Sequence, residues 1–183
     1  MSIATERLIL RQWRDEDLGP FAVLSADPEV MELLMGPIDR AQSDDKVNRY
    51  RWLLEMRGFG YLAIEAPGIA DFIGVVGLAV SPPELPFAGA IEIGWRLARP
   101  YWGQGYATEA ATAALGDGFS RLGLTEIVSF TALLNRRSRA VMERLGMIHN
   151  PKDDFDHVGV PEADPLRPHV LYRLPRATWE ARS

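Results

Sequence analysis

The sequence predicts an α/β chain of the α+β kind: a mixed, mostly antiparallel central sheet of about seven strands with helices on both faces. Three observations predict it. Residues 61–65, 72–80 and 90–97 read as strands joined by short turn-rich connections, which favours an antiparallel meander. A helical segment over residues 105–122 then separates 90–97 from a further strand at 127–134, a spacing that permits parallel pairing. Across the 183 residues, 47% hydrophobic, no linker or internal repeat appears, so residues 1–183 are expected to form a single domain with a substantial core.

Taken in order, residues 5–13 alternate as a strand, and Asp15-Glu16-Asp17-Leu18 marks the start of a helix over 15–26. Helical stretches follow around 28–34 and 43–56. Gly58, Gly60, Pro67, Gly68, Pro82, Pro83 and Pro86 punctuate the connections between the central strands. In residues 90–97, Ile91, Ile93, Trp95 and Leu97 alternate with Glu92, Gly94 and Arg96, the period-two pattern of a strand with two different faces. Ala107, Ala111, Ala114, Leu115, Gly118 and Leu122 recur at helical spacing through the 105–122 segment. A helix at 135–145 and strands near Met147 and over 170–174 complete the chain.

The junction Pro100-Tyr101-Trp102-Gly103-Gln104-Gly105-Tyr106-Ala107-Thr108-Glu109-Ala110 carries the most chemistry. The first turn of a helix leaves four backbone N–H groups without intrahelical partners, and aligned peptide dipoles place about half a positive charge there. Gly103 and Gly105 lack a Cβ, so they accept unusual backbone angles and let a bulky anion approach the main chain. Other phosphate loops fit less well. A P-loop requires Gly-Lys-Ser/Thr, whereas Tyr106 and Ala107 follow Gly105. A dinucleotide fingerprint requires an acidic residue closing the next strand, whereas Glu126 precedes it.

Strand, Gly-x-Gly-x-Ala, amphipathic helix, second strand and Asn135-Arg136-Arg137-Ser138-Arg139-Ala140-Val141-Met142-Glu143-Arg144-Leu145-Gly146-Met147 together resemble the acyl-CoA core of the GCN5-related N-acetyltransferases. Within that superfamily the chain is most similar to the ribosomal-protein N-terminal acetyltransferase branch. Thr5-Glu6-Arg7-Leu8-Ile9-Leu10-Arg11 resembles that branch's first strand, and the tail from Phe155 to Leu174 resembles the closing strands of one subgroup. The resemblance implies an acyl-CoA N-acyltransferase fold and acetyl-CoA as cosubstrate. It places the coenzyme's pyrophosphate on the loop, with Trp102, Gly103, Gln104, Gly105, Tyr106, Ala107 and Thr108 as cofactor-binding residues. Pro100 departs from the family's Gln or Arg at the head of the loop; the missing contact is absent or passes to Arg99.

Acetyl transfer to an amine requires a neutral amine, a polarised thioester carbonyl and a proton for the leaving thiolate. A lysine side chain is neutral about once in 2,500 molecules at pH 7, an α-amine about once in seven. Glu92 is the candidate general base, its alternative being a surface carboxylate paired with Arg96. The main chain of Trp95 and Leu97 is expected to bond the coenzyme's pantetheine arm and help polarise the carbonyl, with Gly94 as a possible bulge. Many superfamily members carry a tyrosine acid seven residues after the asparagine; this chain has Met142, which donates no proton. The ribosomal-protein branch instead implies Ser138 as the acid. Asn135 is expected to bind the pantetheine or order the site, to cap the helix, or both. Arg136, Arg137 and Arg139 are expected near the coenzyme's phosphates, Arg137 being the residue singled out.

Exclusions sharpen this reading. The chain contains no cysteine, so no acyl-cysteine intermediate forms. No metal is expected, because Asp154, Asp156, His157 and His169 lack metal-ligand spacing; His157 is instead a candidate acceptor contact or alternative base. A net charge of −5 argues against a nucleic-acid partner. No long apolar run or leader is visible, so a soluble cytoplasmic protein with no membrane partner is expected, as a monomer or homodimer. The acceptor is a small-molecule or peptide amine. The rival readings are a non-catalytic acyl-CoA-binding sensor on the same fold and, less favoured, a dinucleotide-binding oxidoreductase.

Overall fold

The computed structural model describes residues 2–182 and divides into two compact units. The first comprises the chain up to Leu78 together with Gly94–Ala114, and the second Ala79–Ile93 with the chain from Leu115. The expected class holds: a mixed, mostly antiparallel sheet with helices.

In the first unit, β1 (Ser2–Ala4), β2 (Ile9–Arg11), β3 (Tyr61–Ala66) and the start of β4 (Ala70–Val80) pair antiparallel in sequence order. The strand expected over 5–13 forms only at Ile9–Arg11, and β1 precedes that range. The Thr5 amide donates to the Leu8 carbonyl at 2.9 Å and the Leu8 amide to the Thr5 hydroxyl at 3.0 Å, so Thr5-Glu6-Arg7-Leu8 folds as a turn. Three helices follow, each with a local reason to start or stop. The α1 helix (Leu18–Ala26) continues a 3-10 turn at Asp15–Asp17. The α2 helix (Pro28–Met31) starts on the Asp27 side chain, which accepts from the Glu29 amide. The α3 helix (Arg40–Arg57) opens with a capping box between Asp39 and Gln42 and closes at Gly58, whose φ of 69° suits glycine.

The core of this unit contains Leu8, Leu10, Leu24, Val47, Leu62, Ile64 and Ile73, with Trp13 edge-on to Phe21 at 5.2 Å between ring centroids. Buried in the same unit, Arg11 meets two carboxylates: its Nη1 lies 2.7 Å from Asp17 and its Nε 2.6 Å from Glu65. A buried guanidinium is tolerated when its desolvation is offset in this way.

In the second unit the closing residues of β4 and the opening ones of β5 (Ile91–Leu97) are followed by β6 (Glu126–Ala132) and β9 (Pro168–Pro175). The β5 and β6 strands run parallel with Glu92 opposite Val128, and β6 and β9 run antiparallel from Glu126 opposite Pro175 to Ala132 opposite His169. The two-residue strands β7 (Ile148–His149) and β8 (Phe155–Asp156) both pair with β9. The unforeseen β1 and the short β8 bring the described strands to nine instead of about seven. The α5 helix (Arg136–Arg144) lies where expected, whereas α6 (Arg176–Glu180) has too little periodicity to be read from sequence. Trp179 of α6 stacks on Phe119 of α4 (Tyr106–Ser120) at 5.7 Å. No helix among the described residues is long and apolar enough to cross a membrane.

Candidate functional site

The glycine loop adopts the geometry its sequence implies. Gly103 and Gly105 have φ angles of 72° and 83°, in the left-handed region that disfavours any side chain. Both are exposed, and α4 begins at Tyr106 immediately beyond them. The Glu109 amide bonds back to the Gly105 carbonyl at 3.0 Å, which leaves the amides of Tyr106, Ala107 and Thr108 as the first-turn donors without intrahelical partners. Open glycines before a helix N-terminus fit an anionic diphosphate.

Three contacts stiffen this loop from within. The Gln104 side chain donates to the Pro100 carbonyl at 2.8 Å, so a glutamine inside the loop braces the position where the family's polar residue is missing. The Trp102 indole N–H donates to the Leu97 carbonyl at 2.8 Å, tying the loop to the end of β5 and occupying one lone pair of a carbonyl expected to face the pantetheine. The third contact was not foreseen. Arg7 donates to the Gln104 carbonyl at 3.0 Å, sits 4.6 Å from the Tyr106 ring centroid, and pairs with Glu109 at 2.6 Å. Glu109 also accepts from the Thr5 hydroxyl at 2.6 Å and the Arg7 amide at 2.9 Å. Burial pushes the Glu109 carboxyl up, but the Thr5 and Arg7 donors outweigh it and hold the pKa below the ordinary range. The signal was present in sequence, as an acidic residue in the first turn of α4 and an arginine at a turn, but their distance along the chain hid the pairing.

On β5, Gly94 lies against Tyr61. A Cβ there would meet the Tyr61 hydroxyl, so any larger residue would have to displace that side chain. Trp95 is half-buried and Leu97 buried. Arg96 does not pair with Glu92; its Nη1 lies 3.4 Å from the Ser25 hydroxyl and 3.4 Å from the Met31 sulfur.

Glu92 belongs to the second unit. Its partly buried carboxylate accepts a 2.9 Å hydrogen bond from Ser81, and burial raises its pKa above the ordinary value against a smaller opposing pull from that hydroxyl. One residue further on, the Ile93 carbonyl accepts from the Ser129 hydroxyl at 2.9 Å, a side-chain bond beside the Glu92–Val128 register position. Residues opposite one another across a ladder share a sheet face, as do alternate residues along a strand. Glu92, Val128, Phe130, Leu171 and His169 therefore lie on one face.

Over that face lies a cluster of rings. Phe87 packs on Phe130 at 5.2 Å and on Phe155 at 5.3 Å, and His157 meets His169 at 4.8 Å between centroids. His157 accepts from the Gly159 amide through Nδ1 at 3.1 Å, so its neutral ring carries the proton on Nε2. His169 places Nδ1 3.1 Å from the Arg167 carbonyl, which puts its proton there and leaves Nε2 as an acceptor. Burial lowers both pKa values, and both rings are neutral near pH 7.

Asn135 caps α5. Its Oδ1 accepts from the Ser138 amide at 3.1 Å and its Nδ2 donates to the Thr131 hydroxyl at 2.9 Å, so both ends of the buried side chain are engaged. Ser138 is half-buried, Met142 is fully buried, and Arg136 and Arg137 are exposed. Arg139 turns to the Leu133 carbonyl and the Tyr172 hydroxyl. The first unit thus holds Trp95, Leu97, Trp102, Gly103, Gln104, Gly105, Tyr106, Ala107 and Thr108, and the second holds Glu92, Asn135, Arg137, Ser138 and His157. Within the second, Asn135 and Ser138 touch directly.

The acetyltransferase (GNAT) domain family matches residues 7–148. The chain belongs to the GNAT family. This GNAT chain is 32% identical over 165 residues to the FsC-acetyl coenzyme A-N(2)-transacetylase of Aspergillus fumigatus, covering 85% of this chain and 68% of that one. An acetyltransferase structure from Agrobacterium tumefaciens is 30% identical, covers 95% and 94% of the two chains and superposes with a TM-score of 0.77. The fold is also that of RimL, the ribosomal L7/L12 alpha-N-protein acetyltransferase solved with coenzyme A, at 18% identity, TM-score 0.77 and coverage of 96% and 98%. The protein is accordingly an acetyl-CoA-dependent acetyltransferase that acts on an amine. No group of three or more potential metal ligands occurs among the described residues.

Proposed function

We propose that this GNAT protein moves an acetyl group directly from acetyl-CoA to the primary amine of a peptide N-terminus or small molecule. The carrying observation is Glu92: a partly buried carboxylate on β5, hydrogen-bonded to Ser81 and raised in pKa by burial. Such a group is suited to accept the proton that an amine loses as it attacks.

The step balances as follows. The neutral amine nitrogen attacks the thioester carbonyl carbon, a C–N bond forms as the C–S bond breaks, Glu92 takes the amine proton and Ser138 passes a proton to the departing thiolate; Ser138 then regains a proton from solvent and Glu92 releases its own to solvent. With no cysteine in the chain, no acyl-cysteine intervenes. The exposed Gly103-Gln104-Gly105 loop and the amides of Tyr106, Ala107 and Thr108 receive the diphosphate. Trp102 orders the loop, the main chain of Trp95 and Leu97 receives the pantetheine, Asn135 orders Ser138, and Arg137 adds positive charge for phosphate. His157, in the ring cluster over the face that carries Glu92, contacts the acceptor. Residues 1–183 are read as one cytoplasmic acetyltransferase domain, a monomer or homodimer.

Acetyl-CoA turnover against a panel of peptides, amino acids, polyamines and aminoglycosides tests this reading. Thiol release dependent on one amine class supports it. Tight coenzyme binding without transfer to any amine makes the protein an acyl-CoA sensor instead, consistent with its Pro100 and Met142 departures.

A further inference from the structure

Arg11 and Arg96 of the first unit are removed from bulk water in very different ways, and Arg51, whose Nε is also buried without a partner, pairs with Asp15 at 2.8 Å. Arg11 meets the carboxylates of Asp17 and Glu65. Arg96 meets none. Its guanidinium touches the Ser25 hydroxyl, the Met31 sulfur and, at 5.7 Å, the Phe21 ring, while its Nε is buried without any partner. A guanidinium carries five N–H donors in a fixed fork, and here most have no anionic acceptor.

The surrounding charge compounds the imbalance. Lys46, partly buried on α3, feels Arg96 and Arg49, and burial together with these two cations lowers its pKa. Among the described residues, no carboxylate contributes to the Lys46 shift. Three residues before Lys46, on the same helix face, the Ser43 hydroxyl is fully buried and unpartnered. Desolvated cations of one sign and orphaned donors stabilise a fold only when an anion completes them.

We propose that Arg96 and Lys46 form a carboxylate-binding site in the first unit, and that the carboxylate belongs to the acceptor amine. Arg96 presents the planar fork that matches a carboxylate, and Lys46 adds a second charge. The acceptor class is then an amino acid or a peptide with an acidic group, and polycationic amines are rejected by like charge. The second half of this assignment rests on acetyl transfer to an amine; the anion site itself does not.

The test uses the full chain and two readouts. Thermal shift and calorimetry with succinate report the anion site without turnover. Binding is expected in the wild type, lost in Arg96→Met and weakened in Arg96→Lys and Lys46→Met, with circular dichroism confirming that each variant folds. Matched amines report the acceptor: kcat/KM for 4-aminobutyrate and 6-aminohexanoate should exceed that for butylamine and hexylamine by about ten- to a hundredfold, the value of a hydrogen-bonded charge. That ratio should fall to about one in Arg96→Met, mainly through KM. Succinate binding that survives Arg96→Met overturns the site, as does stabilisation by inorganic phosphate and not by succinate. Arg96-dependent succinate binding without any acetylated amine upholds the site and overturns the catalytic reading. Transfer to alkylamines and ω-amino acids at equal rates leaves the catalytic reading standing and overturns the acceptor class.

Discussion

The Ser81 hydroxyl donates a 2.9 Å hydrogen bond to the Glu92 carboxylate, and burial sets that carboxyl's pKa above the ordinary range. A carboxylate placed in this way combines proton affinity with a cost to the fold. Glu92→Gln should lower turnover by about 10²- to 10⁴-fold, the usual worth of a general base, and remove the rising limb of the kcat/KM profile against pH. Unchanged turnover across pH 6 to 9 would remove Glu92 from the mechanism.

The same shift predicts a stability effect of opposite sense. Because the folded-state pKa is raised, Glu92 contributes most below its unfolded pKa, and that contribution is lost as pH rises through the folded value. Glu92→Gln should therefore melt higher than the wild type at pH 8, with the difference shrinking at acid pH. Thermal melts across pH check this, and a variant less stable than wild type at pH 8 contradicts it.

Asn135 and Ser138 separate structure from chemistry. Ser138→Ala keeps the amide that Asn135 caps, so it should lower kcat with little change in acetyl-CoA affinity. Asn135→Ala loses both the cap and the Thr131 contact and should cost about 1–2 kcal/mol in denaturant unfolding. A Ser138→Ala protein that loses coenzyme affinity and keeps kcat would make the serine structural.

Glu109 supplies the acid-side counterpart. Although burial pushes its carboxyl up, the Thr5 and Arg7 donors prevail and its folded-state pKa is depressed. Its contribution is thus present above the unfolded pKa and lost as pH falls through the folded one. Glu109→Gln should flatten the acid side of the stability profile and weaken acetyl-CoA binding by loosening Arg7 from the Gln104 carbonyl. Calorimetry with acetyl-CoA reads the second effect; unchanged affinity would confine Glu109 to the fold.

Much of this was legible in the sequence because it rests on local chemistry. Gly103, Gly105 and the start of α4 are specified within a few residues, as is the Asn135 cap. The period-two pattern of residues 90–97 located β5 and the face of Glu92. What stayed hidden is non-local. Arg7 with Glu109 joins residues 102 positions apart, and the Tyr61 hydroxyl that approaches Gly94 comes from another strand. Arg96 looked like a partner for Glu92, since both lie on one strand face, but rotamer and packing turn its guanidinium to Ser25 and Met31. The turn at Thr5-Glu6-Arg7-Leu8 escaped notice because side-chain bonds of Thr5 interrupt an otherwise strand-like alternation.

Single-turnover mass spectrometry tests the central claim most directly. The protein is mixed with acetyl-CoA and the best amine of the panel, quenched over time, and both the amine and the intact chain are weighed. Direct transfer assisted by Glu92 predicts acetylated amine appearing in step with free coenzyme A, unmodified protein at every time point, and a slower course in Glu92→Gln. Acetyl groups accumulating on the protein before they reach the amine, or acetyl-CoA bound and left intact with every amine, would contradict it.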